Sequence, residues 1–507
     1  MTSTAAEKHP RGLYVLFGTE MWERYSFYTV GAMLSLYLRD ATEGFGFSNA
    51  RSASVVSTYN MFIYFTPLLG GLIADRLTGF RKAIMVGGVS FMIGHALLAV
   101  PDNLFICYLA LTFLVIGNGF FKPNVSSMVG NLYREGSHLK DKAYLIFYMG
   151  INIGALLAPL VANFVRPRWG FHPAFFMGAI GMMLSLIVFG VNQKWVRHAD
   201  RKQSRGGDQE AIAATVDLPP TPEAVQMAAV PEWKRIMALI VIFLIVIVFW
   251  MVFHQNSISL IWWAEDHSRA LPGILSFALN PFFIVILSTP LAAFWSWLDR
   301  RNLEPSTPMK MMIGMILTGV SFLILYFAAN AGGFDKPVFE VVQSRGTETV
   351  VRISPEARAY LGITAAPVKL DDETDAWRVT NTGAPAVRGE FVRFEGDANG
   401  QIQTATANRV SAAWLIVAYF VLSLGELMLS PMGLSLVSKV APIRMRGLMM
   451  GGWFAATAIG NKLTGVAGYW DLWSHSFFFV LLAGMALAMA VVLIVLMRPL
   501  KRAMPGV

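Results

Sequence analysis

The stretch from His172 to Gln193 reads HPAFFMGAIGMMLSLIVFGVNQ and carries no Asp, Glu, Lys or Arg. A helix needs about 20 such residues, at 1.5 Å each, to cross a hydrocarbon core. Runs of this length recur on both sides of it. Toward the N-terminus they fall near 13–38, 52–74, 83–100, 104–128 and 143–165. Toward the C-terminus they fall near 235–257, 272–298, 309–330, 409–432, 446–469 and 473–497. The pattern predicts an all-α polytopic membrane protein with two groups of six spans. Composition agrees: of 507 residues, 55% are apolar and only 14% charged, and mean hydropathy is +0.52. Soluble chains average about 25% charged residues, so the deficit excludes a soluble enzyme.

The formal net charge is +9, but the basic residues sit in short connections and form no continuous stripe, which excludes a nucleic-acid surface. Arg76, Arg81 and Lys82 follow the second span, and Arg134, Lys140 and Lys142 the fourth. Lys194, Arg197, Arg201, Lys202 and Arg205 follow the sixth; Arg300, Arg301 and Lys310 follow the eighth. Lys439, Arg444 and Arg446 follow the tenth, and Arg498, Lys501 and Arg502 close the chain. Basic residues hold loops in the cytoplasm, so every second connection and both termini are expected there. The single Cys107 lies in an apolar run and reads as a buried small hydrophobe, without a disulfide or cysteine metal cluster. The short polar start, followed by Glu20, Glu23 and Arg24, does not resemble a cleaved signal peptide.

Two polar stretches interrupt the spans. Residues 194–232, with Gly206-Gly207, Pro219-Pro220 and Pro222, predict a flexible cytoplasmic linker. It separates an N-terminal bundle, 1–193, from a C-terminal bundle made of 233–330 and 409–507. Residues 331–408 hold eleven acidic and eight basic side chains and are too polar to cross lipid. Runs of β-formers at Phe339–Val342, Thr349–Ile353 and Glu390–Phe394, separated by Gly, Asn and Pro, predict a small β-rich extracytoplasmic insertion between spans nine and ten. It either restricts an outer mouth or is a tolerated loop.

Charges inside spans are costly and belong in a protein interior or an aqueous cavity. Glu20, Glu23 and Arg24 share one face of the first helix by their spacing of three and four. Two carboxylates beside one guanidinium form either a structural seal or a unit that holds and releases a proton. Lys122 stands in Gly119-Phe120-Phe121-Lys122-Pro123-Asn124, where Pro123 is expected to break the helical ladder and free carbonyl groups. The first-span carboxylates are its natural partners. Glu426, beside a helix break expected at Pro431 five positions later, suits a positively charged substrate group or stays protonated as a structural residue. Asn152 and Asn280 offer hydrogen bonds across a cavity or between helices. Tyr28, Tyr64, Trp250, Trp414 and Trp453 line side-chain pockets or serve packing. His254 is a titratable group or a core hydrogen-bonding one. No phosphate loop or zinc-type spacing occurs, since Gly70-Gly71 lacks the downstream Gly-Lys-Ser/Thr. The energy source is therefore expected to be an ion gradient.

These residues together resemble the proton-dependent oligopeptide transporter family of the major facilitator superfamily. Glu20-Met21-Trp22-Glu23-Arg24 is similar to its first-helix ExxER motif, with Tyr28 downstream. Gly71-Leu72-Ile73-Ala74-Asp75-Arg76 with Gly79, Phe121-Lys122-Pro123-Asn124 and Phe147–Gly154 continue the match. Asn280-Pro281, Glu304–Pro308 and Gly425-Glu426-Leu427 through Leu434 complete it in family order. The resemblance implies a major facilitator fold whose bundles rock about a central cavity, importing di- and tripeptides by proton symport. It implies Glu426 at the substrate amino terminus and Lys122 at the carboxylate side or exchanging partners with Glu20 and Glu23. Arg24 would be their counter-charge, and Tyr28, Tyr64, Asn152 and Asn280 would make polar contacts to substrate; Trp250 and Trp414 are the aromatic candidates, read from the residues, for its side-chain pockets.

No cofactor or metal is implied. The expected partners are short peptides, protons and membrane lipid, with a functional monomer in a bacterial inner membrane. The two helices that many bacterial members insert between bundles are expected to be absent, because 194–232 is too polar. Two departures matter: Gly31 stands where the family's peptide carriers place a basic residue, and His254 where they place an acid. A carrier of another small solute, such as an amino-acid derivative, peptide-like drug or nitrate, is the alternative.

Overall fold

A backbone in lipid can satisfy its polar groups only within its own segment, so each apolar run becomes a helix. The computed structural model describes residues 9–133, 139–200, 226–227, 229–333, 338–345, 348–353, 368–370, 373–381, 391–396, 402–406, 409–442 and 445–505. The first half holds α1 (Arg11–Arg39), α2 (Asn49–Ile73), α3 (Phe80–Leu98), α4 (Leu104–Asn131), α5 (Leu139–Trp169) and α6 (Phe171–Val191). In the second half, α7 (Glu232–Phe253) continues through the tight turn His254–Ser257 into α8 (Ser259–His267). The short α9 (Gly273–Ser276) leads into α10 (Leu279–Asp299). Then come α11 (Thr307–Ala331), α12 (Ala413–Val440), α13 (Arg446–Leu463) and α14 (His475–Ala503).

Among the described residues, nine helical runs are long and apolar enough to cross a membrane, counting α7 with α8 and α9 with α10 as one each. The remaining helices α1, α2 and α13 are 29, 25 and 18 residues long. They miss that hydropathy because they carry polar side chains. In the first half α1 packs on α5 and α6, α2 on α4, and α3 on α4 and α6. In the second, α11 packs on α12 and α14, α7 on α13 and α14, and α10 on α12. The halves meet where α2 runs along α13 and where α5 meets α9 and α10.

The helix behaviour at proline differs from expectation. Both α4 and α12 run unbroken through Pro123 and Pro431. Pro123 removes one donor, leaving the Gly119 carbonyl without its bond four residues on. That carbonyl lies against Gly70 of α2, where an added Cβ would come within 2.0 Å of its oxygen. The vacancy becomes a site of close helix contact rather than a break. The seventh span also reaches further than its apolar run, to His267.

The insertion forms strands, as its β-formers require. These are β2 (Val338–Arg345), β3 (Glu348–Arg352), β4 (Val368–Leu370), β5 (Glu373–Asn381), β6 (Phe391–Gly396) and β7 (Ile402–Thr406), following the two-residue β1 (Ser268–Arg269). Strand order is β3-β2-β6-β7-β5-β4, and a further β3–β5 pairing closes five strands on themselves. Phe339, Val341, Val351, Ile353 and Trp377 fill the interior. The strands β4, β5 and β7 were not anticipated, because Thr, Gln and Asp dilute their β-forming signal. The two-residue β8 (Val410–Ser411) pairs in parallel with β1, tying the insertion's exit to the end of α8. Glu390 and linker residues 201–225 lie outside the described residues.

Candidate functional site

The ionic cluster rests on a close approach of two helices. Gly154 of α5 faces α1 so closely that a Cβ there would lie 2.2 Å from Met21 O and 3.0 Å from Arg24 Cβ. This contact buries Glu20, Glu23 and Arg24 almost completely. Arg24 donates to Glu23 through Nε and Nη2, both at 2.5 Å. Its Nη2 also donates to Asn118 Oδ1 at 3.0 Å, and Asn118 Nδ2 donates to Ile63 O at 2.7 Å. The guanidinium carbon lies 4.4 Å from the centre of the Phe27 ring. Glu20 is treated differently. Its Oε1 is 3.4 Å from Arg24 Nε, and neither of its oxygens has a hydrogen-bond partner.

Lys122 does not pair with the first-helix carboxylates as expected. Among the described residues no carboxylate lies within 4.0 Å of it, although Glu20 and Glu23 are within electrostatic reach. Its Nζ stands 5.3 Å from the centre of the Tyr64 ring. The Tyr64 ring lies 5.5 Å from His254 of the other half, and His254 stacks on Trp250 at 5.0 Å. Glu426 accepts from Asn280 Nδ2 at 2.8 Å, and the same nitrogen reaches Ser423 Oγ at 3.0 Å. Tyr28 lies within electrostatic reach of both Arg24 and Glu426. Its ring touches Phe277 at 6.0 Å.

Not every expected residue joins this arrangement. Asn152 Nδ2 is spent on Tyr148 O of its own helix, at 2.9 Å. Trp414 lies twelve positions before Glu426 on α12, about 18 Å along the helix, at the end that carries the insertion. Trp453 packs against Phe243 and fills space over Gly433. Asn118, Ser423 and Phe277 escaped sequence reading. Asn118 had a usable signal, a polar residue between Gly117 and Gly119 in an otherwise apolar run. Phe277 had none, because its relevance comes from lying over Gly31, where a Cβ would meet its ring at 3.2 Å.

The halves are pinned at the insertion end. Arg39 Nη2 donates to Asp266 Oδ2 at 2.8 Å, and Arg166 lies 3.4 Å from Glu265 Oε1. Asn49 donates to Asp471 at 2.6 Å and Lys462 to Thr58 at 2.5 Å. Toward the other end, a groove of about 420 Å³ opens along α5, lined by Tyr144, Leu145, Phe147, Tyr148 and Ile151. The arrangement is a set of buried polar side chains contributed by both halves, which are pinned together at one end, with Lys122 lacking a carboxylate within 4.0 Å among the described residues and Glu426 held by an amide rather than a cation.

The family model PTR2, which describes the POT family, matches residues 81–216, 220–356 and 390–469. The chain belongs to the POT family. It is 29% identical to the uncharacterized transporter YclF of Bacillus subtilis (strain 168), over 98% of this chain and 96% of that one. It is 28% identical to a di-/tripeptide transporter of Lactococcus lactis subsp. cremoris, over 98% and 97%. A crystal structure of a peptide transporter POT variant in complex with alafosfalin superposes with a TM-score of 0.74, at 26% identity, covering 99% of this chain and 97% of that one. A POT family transporter in complex with 5-aminolevulinic acid gives 0.73 at 25% identity, covering 98% of both chains. The two six-helix bundles of this POT protein are therefore the major facilitator fold, elaborated by a small sheet.

Proposed function

We propose that this POT protein is a proton-coupled symporter that imports di- and tripeptides by alternating access. The observation that carries the coupling is Glu20. Arg24 commits its short bonds to Glu23, so Glu20 is the carboxylate that a proton can enter without breaking a hydrogen bond. Protonation there removes a charge facing Lys122 and Arg24 and frees both to rearrange. Glu426, held by Asn280, takes the peptide amino group; Lys122, without a contacting carboxylate, takes the carboxylate end. Tyr28 and Tyr64 bridge the two. Names of the relatives, which include di-/tripeptide transporters, support the substrate class.

With both termini cytoplasmic, in a bacterial inner membrane, the pairs Arg39–Asp266 and Arg166–Glu265 close the outer end. The state described then faces inward. Outward opening must part these pairs, and release of peptide and proton inside resets the carrier. It acts as a monomer in lipid, as a carrier and not an enzyme, with no cofactor.

The test is di-alanine uptake into proteoliposomes with and without an inward proton gradient, in wild type and Glu20→Gln. Wild type accumulates peptide only with the gradient. E20Q, fixed in the neutral form, exchanges peptide across the membrane but does not accumulate it. Accumulation by E20Q equal to wild type refutes the proton role of Glu20, and silence of a broad peptide panel in folded wild type refutes the peptide assignment.

A further inference from the structure

A proline inside a helix removes one N–H and leaves the carbonyl four residues earlier without its bond. In α2 that proline is Pro67, and the carbonyl belongs to the buried Ile63. A buried backbone carbonyl needs a donor, and here another helix supplies it. Asn118 of α4 donates from Nδ2 to Ile63 O at 2.7 Å. The glycines on either side seat this asparagine. A Cβ on Gly117 would lie 2.7 Å from Phe91 N of α3, and one on Gly119 would lie 2.8 Å from Thr66 Cβ of α2.

The bond to Ile63 decides which way the amide points. A carbonyl only accepts and a guanidinium only donates, so the nitrogen of Asn118 faces Ile63 and its oxygen faces Arg24. Arg24 Nη2 carries two hydrogens. It donates to Asn118 Oδ1 at 3.0 Å and to Glu23 Oε1, while Nε donates to Glu23 Oε2. Anchored by Asn118 at Nη2, the guanidinium turns its Nε–Nη2 edge onto Glu23. Glu20 Oε1 stands 3.4 Å from Nε, and neither Glu20 oxygen accepts a hydrogen bond. All four side chains are buried.

We propose that Asn118, oriented by the carbonyl that Pro67 frees, is a positioning residue for proton coupling: it holds Arg24 on Glu23 and so keeps Glu20 open to the proton. This rests on the reading above that Glu20 takes the proton. Without the Asn118 oxygen the guanidinium regains a free N–H, and the unbonded Glu20 carboxylate is the acceptor within reach. A cation in contact favours the carboxylate over the acid, so loading the proton then demands a more acidic exterior.

The experiment is initial di-alanine uptake into proteoliposomes at fixed internal pH and varied external pH, in wild type, Asn118→Leu and Pro67→Ala. N118L removes the amide at similar volume. P67A returns an N–H to Ile63 O within α2 and competes for the bond that orients Asn118, while every group of the ionic cluster stays in place. The external pH of half-maximal uptake should fall by about one unit in N118L, a tenfold rise in the proton concentration required. It should fall by a smaller amount in P67A. A merely structural role lowers the maximal rate without moving this midpoint. A midpoint in N118L within about 0.2 unit of wild type, or raised, overturns the proposal. P67A carries the same test if N118L does not fold. Glu20→Gln distinguishes the two readings. Accumulation by E20Q equal to wild type refutes Glu20 as the proton carrier and this proposal with it, whereas an unmoved midpoint alongside an uncoupled E20Q refutes the role of Asn118 alone.

Discussion

Replacing Gly154 by alanine would place a Cβ 2.2 Å from Met21 O, 2.8 Å from Tyr25 N and 3.0 Å from Arg24 Cβ. Two of these neighbours are backbone, which cannot rotate away. Ordinary contact begins near 3.4 Å, so α1 and α5 must part locally by about 1 Å. Overpacking of this kind costs about 1–3 kcal/mol. For a bundle of this size that corresponds to a fall of roughly 5 °C in Tm. The displacement falls on the helix face that carries Arg24, so the bond to Asn118 lengthens and coupled uptake suffers along with stability. Gly190→Ala is the matched control, because no atom lies within 4 Å of its added Cβ. Thermal unfolding in detergent, followed by intrinsic fluorescence, and gradient-driven uptake should separate the two variants. A Tm for G154A within 1 °C of wild type, with uptake intact, would show that this contact does not hold the cluster.

Two further outcomes follow from the geometry. Burial acts to raise the Asp40 carboxyl, but hydrogen bonds from Glu43 N and Thr42 and the Arg166 charge outweigh it and hold the group below its ordinary value. Its stabilisation is present at neutral pH and is lost as pH falls through that lowered value. The Tm advantage of wild type over Asp40→Asn should therefore shrink as pH falls from about 5 to about 2; an advantage constant across that range contradicts the assignment. Gly31→Val drives a branched side chain into Phe277, whose ring meets even a Cβ at 3.2 Å. Uptake should drop about tenfold and recover when Phe277→Ala is added, and a double variant no better than the single removes Phe277 from the account.

How much of the site was legible depended on distance along the chain. Glu20, Glu23 and Arg24 announce themselves because helical spacing alone puts them on one face, and charges in an apolar run demand an interior. Glu426 and Lys122 stand out for the same reason. Their partners did not follow from the same logic. Spacing points Lys122 at the first-helix carboxylates, yet it stands beside Tyr64 while Arg24 occupies Glu23 and Glu20 is left without a hydrogen bond. Asn152 gives one N–H to Tyr148 O of its own helix, a local bond that its sequence position does not announce. Prolines 123 and 431 read as breaks, yet both helices run through them, and at Pro123 the freed Gly119 carbonyl lies against Gly70 of α2.

The sequence by itself determined the membrane spans, the two groups of six, the polar insertion and the identity of the buried charges. Each of these follows from hydropathy and helical period, which act over one or two turns. Only the tertiary structure decided that Arg24 chooses Glu23 over Glu20, that Asn118 completes the pair, that Phe277 covers Gly31 and that His254 joins Trp250 and Tyr64. Those choices depend on where separate helices cross to within an ångström, and no local pattern carries that distance.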